Sequence, residues 1–195
     1  ENKIITEPKW KSWIVQTTTP LFTPEQCRQI ISSGRAQKPQ QAQVGMNKPE
    51  GGTDTKKRVT TISWIPFQEM GHMYQDLNTF IQKANENHFG FGDIQVTEQA
   101  QFTEYPEGGF YDWHMDCDVN MEHEPPVRKI SMTVLLNDPK EFEGGHLELM
   151  APGKFAELKQ GHAICFASFL NHRVNPVTRG MRQSLVVWFG GKAFR

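Results

Sequence analysis

Tyr105-Pro106-Glu107-Gly108-Gly109-Phe110-Tyr111-Asp112-Trp113-His114-Met115-Asp116 is the stretch on which the reading of this chain turns. A Pro-Glu-Gly-Gly turn separates two β-prone runs, Gln95 to Glu104 and Phe110 to His114. The same texture continues through Ile130 to Leu136, His146 to Met150, Ala163 to Phe166, Arg173 to Pro176 and Arg182 to Phe189. Turn signals stand between these runs: Asn137-Asp-Pro, Glu143-Gly-Gly, Pro152-Gly, Gln160-Gly and Arg179-Gly. Short strands at this spacing predict a mainly β fold, either a sandwich, a jelly roll or a barrel.

The upstream part reads differently. Trp10 to Thr18 is expected as a strand. Thr23 caps a helix with Pro24 at its first position and Gln26 closing a capping box. Cys27, Ile30 and Ile31 give it an apolar stripe, and Gly34 is expected to end it. Residues 37–57 are polar and rich in Gln, Gly, Lys and Pro, and read as a mobile loop with room for a short strand around Val44. Arg58 to Ile65 alternates as a strand. Met70, Met73, Tyr74, Leu77, Phe80 and Ile81 mark a second helix from about Phe67 to Asn87, their stripe facing core. The helices are expected on one outer face of the β structure. The 195 residues are expected to form one domain, with 1–93 as support and flap and 94–195 as the catalytic core.

Bulk composition narrows the class. Lys+Arg is 21 against Asp+Glu 22, which gives no electrostatic argument for a nucleic-acid or membrane partner. Cys27, Cys117 and Cys165 are odd in number, with no CxxC, so neither a disulfide framework nor a zinc knuckle is expected. A reducing, cytoplasmic setting is the simpler expectation.

Chemistry enters at His114 and Asp116. On an extended strand, residues two apart share a face, so an imidazole and a carboxylate would stand together. Asn171-His172-Arg173-Val174 precedes another strand and offers a second imidazole. Two His and one carboxylate on one face leave three positions open, the facial triad of non-haem iron(II) oxygenases. By itself the HxD pair is a weak signal. Arg182-Gln-Ser184-Leu-Val186-Val-Trp188 adds to it, because Arg182, Ser184, Val186 and Trp188 share a face if the run is a strand. An inward Arg is costly without an anion, and a dicarboxylate would supply one. Ser184 would add a hydroxyl and Trp188 an apolar wall. The competing reading makes Arg182 the solvated start of a strand.

Four ordered motifs, YxxGGFYxxHxD, ISMTVLLND, EGGHLEL and FxxxxNHRVNPVTRGxRxSLVVWF, cover about the last hundred residues. The chain resembles the prolyl-4-hydroxylase-type branch of the 2-oxoglutarate/iron(II) dioxygenases, in its bacterial and phage-like form. The resemblance implies a double-stranded β-helix (jelly roll), with His114, Asp116 and His172 as iron ligands and Arg182 on the far carboxylate of 2-oxoglutarate. Tyr105 matches a tyrosine that bonds the co-substrate, and Val174 and Trp188 match pocket-lining positions. Several relatives carry a tyrosine where this chain has Leu135, and Ser131, Thr133 or Ser184 are the expected substitutes. The implied cofactors are Fe(II), 2-oxoglutarate and O2, with ascorbate as reductant.

The implied reaction is hydroxylation coupled to oxidative decarboxylation, and the presence of Asp116 argues against halogenation. Prolyl residues in a peptide or protein are the first substrate expectation. Free proline or another small molecule comes next. Two other classes compete: a non-catalytic metal-binding jelly roll and a zinc hydrolase. The second gives no role to a buried Arg182. His146 reads as structural, His72, His88 and His162 as surface or packing residues, and His123 as part of an acidic loop at the mouth of the site.

Overall fold

The computed structural model describes residues 12–41, 57–117, 126–150, 153 and 155–192. Within them the order is β1 (Ile14–Gln16), α1 (Pro24–Ala36), β2 (Gln40–Gln41), β3 (Arg58–Val59), β4 (Thr61–Ile65) and α2 (Gly71–Ala84). Then come β5 (Gln95–Val96), β6 (Ala100–Tyr105), β7 (Phe110–His114), β8 (Val127–Leu135), β9 (Phe142–Gly144) and β10 (Leu147–Leu149). The chain ends with β11 (Phe155–Ala156), β12 (Ala163–Ala167), β13 (His172–Val174), β14 (Val177–Gly180) and β15 (Arg182–Gly191).

A major sheet runs β1-β12-β8-β15-β6-β4-β2, with β5 also on β15, and a second sheet runs β11-β10-β13-β7-β3. Each described neighbour pair in them is antiparallel. The alternation of β8 and β15 separates two interiors. Ile130, Met132, Val134, Leu185, Val187 and Phe189 pack with Cys27 and Ile30 of α1 and Met73, Leu77 and Ile81 of α2. On the other side, Tyr105, Ile164 and Phe166 meet Leu147, Leu149 and Val174 of the second sheet. Two sheets packed face to face, with helices covering the outer face of one, form the jelly roll expected from the sequence. No helix among the described residues is long and apolar enough to cross a membrane.

Several boundaries moved for identifiable reasons. The capping box at Thr23 forms as read, but α1 runs past Gly34 to Ala36. Gly34 is buried against β6, and a Cβ there would lie 2.3 Å from the Phe102 ring. Its carbonyl also accepts from Ser63 Oγ at 2.6 Å. The glycine marks a close helix–strand approach and not a stop. The second helix starts later, at Gly71, and closes in a π turn over Asn85–Phe89. There Asn85 bonds both the carbonyl and the N–H of Phe91, at 2.7 and 2.9 Å. The single strand expected over Gln95 to Glu104 divides in two: Gln95–Val96 pairs with the end of β15, and Ala100–Tyr105 with its start. Of the stretch 37–57, Gln40–Gln41 forms a strand on β4. Residues 42–56, including the strand expected around Val44, lie outside the described residues, as does His123.

The Gly34 contact makes a testable claim. Ala favours a helix over Gly by about 1 kcal/mol, whereas forcing a methyl into a packed core costs about 1–3 kcal/mol. Gly34→Ala is therefore expected to lower stability in urea unfolding, where an exposed helical glycine replaced in the same way would raise it.

Candidate metal centre and co-substrate pocket

β7 and β13 run antiparallel with His114 directly opposite His172. The strand ends at His114, and Asp116 follows in a bend. Extended geometry is thus not what places the carboxylate. The N–H groups of Asp116 and Cys117 both bond the carbonyl of Ser168, at 2.9 and 3.0 Å, and this folds the carboxylate back toward the imidazoles. His114 Nε2 lies 3.6 Å from Asp116 Oδ1, and His172 Nε2 lies 3.5 Å from Oδ2. One ligand atom from each of the three residues falls within 4.8 Å of the others.

The donor set suits a divalent metal. Nδ1 of His114 is 2.7 Å from the carbonyl of Asp112, and Nδ1 of His172 is 2.9 Å from that of Leu170. A carbonyl only accepts, so each Nδ1 carries a proton, and in the neutral ring Nε2 is the nitrogen left with a lone pair for a metal. Packing fixes the rings: His114 stacks on Tyr111 at 3.4 Å between centroids, and His172 meets Phe166 edge-on at 4.6 Å. Burial, aided by His172, holds His114 down at about 3, so the imidazole is neutral near pH 7. Burial pushes Asp116 upward, but the imidazoles and the hydrogen bonds from Ser131 and Trp188 outweigh it and hold the carboxyl at about 2.

Beside the triad lies a cavity of about 520 Å³. Tyr105, Thr133, Val174, Val186 and Trp188 line it, and Gln40, Arg58, Trp64, Glu98 and Arg128 also contribute. Arg182 and Ser184 lie on the same strand as Val186 and Trp188 but are not among the residues that line the cavity. Arg182 is 3% exposed. It pairs in register with Tyr105 and lies 5.4 Å from that ring. One Nη donates to Ser184 Oγ at 3.0 Å. No carboxylate among the described residues pairs with Arg182, and burial pulls its pKa below the usual guanidinium range. A buried cation in that position calls for an anion.

Other residues were placed differently from the sequence reading. Ser131 turns to Asp116 Oδ2 at 2.7 Å, and Trp188 gives the same oxygen its indole N–H at 2.9 Å in addition to its apolar face. Leu135 is buried and pairs with Ser184 across the sheet. Two contributors escaped the sequence reading. Ser168 carries no motif of its own. Gly145 was visible only as half of a Gly-Gly turn, yet with φ +62 it lies where a Cβ would sit 2.9 Å from Arg182 Cδ. A side chain there would push into the arginine.

Residues 100–190 match the family described as the 2OG-Fe(II) oxygenase superfamily. Over these residues, just under half of its length, the chain is similar to this superfamily. The similarity is of the prolyl-4-hydroxylase type. A PKHD-type hydroxylase of Colwellia psychrerythraea is 33% identical over 147 residues, 72% of this chain and 64% of the relative. One from Teredinibacter turnerae is 35% identical over 118 residues, 57% of this chain and 52% of the relative. The chain thus spans about half the length of curated relatives that it matches. A Pseudomonas putida prolyl-4-hydroxylase superposes with TM-score 0.67 at 20% identity, covering 93% of this chain and 94% of that one. A viral collagen prolyl hydroxylase from Paramecium Bursaria Chlorella virus-1 gives 0.70 at 18% identity, with 91% and 96% covered. Both place this chain in the same fold.

Two outcomes test the site. His114→Ala or His172→Ala is expected to weaken Fe(II) binding strongly while leaving the metal-free fold intact by circular dichroism, since each removes one of three ligands. The metal-free protein is also expected to lose stability on acidification. His114 is depressed from 6.5 to about 3, so the unfolded chain takes up the extra proton as pH falls through that window. Asp116, depressed from 3.8 to about 2, adds a second loss further down. Thermal unfolding midpoints are expected to be lower at about pH 5 than at about pH 7.5, and to recover in part in His114→Phe.

Proposed function

We propose that this protein catalyses 2-oxoglutarate- and O2-dependent hydroxylation, with prolyl residues of a peptide or protein as its substrate and succinate and CO2 as co-products. The observation that carries the reading is a metal-competent His-Asp-His face opening on a cavity, together with a buried arginine, unpaired with any carboxylate among the described residues, on the strand that gives this cavity Val186 and Trp188. A zinc hydrolase has no use for that arginine, and a purely structural metal site has no use for the cavity.

His114, Asp116 and His172 would hold the metal on one face, leaving the cavity side open. When bound, ferrous iron would let O2 act as the oxidant of a C–H bond, with 2-oxoglutarate as the two-electron reductant that becomes succinate and CO2. Arg182 would take the far carboxylate of the co-substrate, with Ser184 fixing one of its nitrogens. Thr133 and Tyr105 offer hydroxyls along the same wall. Val174, Val186 and Trp188 exclude water around the reacting end. Trp64 lies 6.2 Å from Trp188 and continues the aromatic lining, which suits a pyrrolidine ring. A solved neighbour, a prolyl hydroxylase from Trichoplax adhaerens, is described in complex with a peptide fragment. This supports a chain substrate over a free amino acid.

The test is a mass shift of about +16 Da, one oxygen atom, across proline-containing peptides, free proline and other small molecules, with succinate measured in parallel and ascorbate present or absent. A shift confined to free proline or a small molecule would reassign the substrate. Release of no succinate with Fe(II) loaded would overturn the reaction. Arg182→Lys is expected to keep partial turnover and Arg182→Ala to raise the 2-oxoglutarate requirement at least tenfold, because the ammonium cannot reproduce the paired hydrogen bonds and alanine has no charge. An unchanged requirement in Arg182→Ala would mean that another cation holds the carboxylate.

A further inference from the structure

Asp116 Oδ2 accepts from Ser131 Oγ at 2.7 Å and from Trp188 Nε1 at 2.9 Å. A carboxylate oxygen has two lone pairs in its plane, and both on Oδ2 are engaged. Oδ1 accepts no hydrogen bond given by a described residue and lies 3.6 Å from His114 Nε2, which makes it the oxygen open to a metal. Ser131 has a single hydrogen and spends it on Asp116, so the 2.9 Å contact between Ser131 and Ser168 runs from Ser168 to Ser131. Both serines are fully buried. The Ser168 carbonyl separately accepts the N–H groups of Asp116 and Cys117, and its own N–H donates to the carbonyl of Lys129. One residue in the turn after β12 therefore holds the main chain of Asp116 directly and its side chain through a second hydroxyl. Behind the other donor, Arg128 lies 3.8 Å over the Trp188 ring and is clasped by Glu98 at 2.7 and 2.8 Å.

We propose that Ser168, acting through Ser131, is a positioning residue that keeps Asp116 a one-oxygen ligand. Two imidazoles and one carboxylate oxygen leave three positions open on an octahedral metal. A carboxylate binding through both oxygens would reduce these to two. The donors on Oδ2 make that second contact costly, since it would strip a buried hydroxyl and a buried indole of their acceptor. The inference rests on the metal reading of the triad and adds to it what fixes the third ligand's mode.

Mn(II) titration of the metal-free protein separates the two. Wild type is expected to bind at one site and His172→Ala to lose it; absence of binding in wild type overturns the metal reading and this inference with it. With wild-type binding in hand, Ser131→Ala is expected to weaken Mn(II) about 10–100-fold, the range for partners of metal ligands. Ser168→Ala should cause a smaller loss. The double variant should bind no worse than Ser131→Ala alone, because the relay is already cut. Ser131→Cys, nearly isosteric but a weak donor, should fall between wild type and Ser131→Ala, and it remains the test if the alanine variant does not fold. In the Co(II)-loaded protein, Ser131→Ala should lower the visible absorption as the carboxylate adds its second oxygen. Unchanged Mn(II) affinity in both Ser131 variants, additive losses in the double variant, or an unaltered Co(II) spectrum would overturn the proposal. Thermal midpoints of the metal-free variants distinguish it from a plain packing role, which would lower the midpoint while leaving metal affinity alone.

Discussion

Across β7 and β13, His114 stands opposite His172, and the site depends on that one register. Two imidazoles from distant parts of the sequence are brought together by strand pairing, before any metal is considered. A slip of one residue would send one ring to the far face of its sheet. Neighbours guard the register: Leu149 pairs with His172, and Glu148, paired with Arg173, also receives its guanidinium in an ion pair. That buried carboxylate also accepts the N–H of Gly153 at 2.9 Å. The second sheet thus holds its histidine strand from both sides.

The other half of the chemistry belongs to the major sheet. β15 gives Val186 and Trp188 to the cavity wall, carries Arg182 and Ser184 at the same alternating positions, and turns Leu185, Val187 and Phe189 toward the helices. An uncompensated guanidinium inside a protein is expensive. Here the cost is tolerated because the strand around it is anchored by core contacts on its opposite face and by pairing on both edges. Gly145 gives the side chain its room. The fold thus maintains a buried cation beside Tyr105, a residue of the pocket wall, where apolar packing alone would exclude it.

Much of this was legible in the sequence because strands repeat every two residues. Alternation put Arg182, Ser184 and Trp188 on one face, and the His114–Asp116 spacing with His172 suggested a triad. The three residues do cluster, but Asp116 joins them for a reason that alternation does not supply, since the strand has ended there and the Ser168 carbonyl turns the chain. Ser168 itself could not be found from local pattern. Its partners come from β8 and from the bend after β7, and long-range register leaves no periodic mark on a lone serine. The reading of Gly34 failed similarly, as a glycine serving a close approach looks the same in sequence as one ending a helix. Two-residue strands such as Gln40–Gln41 fall below any repeat.

The two-faced strands also bear on how such a protein can change over evolutionary time. Along β8 and β15, site and core residues alternate one by one, so an insertion or deletion inside either strand inverts both sets together. The cavity wall is therefore closed to length variation and open only to replacement of single side chains. Apart from the bends that hold Asp116, Gly145 and Ser168, the connections between strands carry no such double duty. Variation in what the pocket admits is free to accumulate there, while the bonds that hold the two imidazoles and the Asp116 carboxylate together are inherited as part of the packing itself.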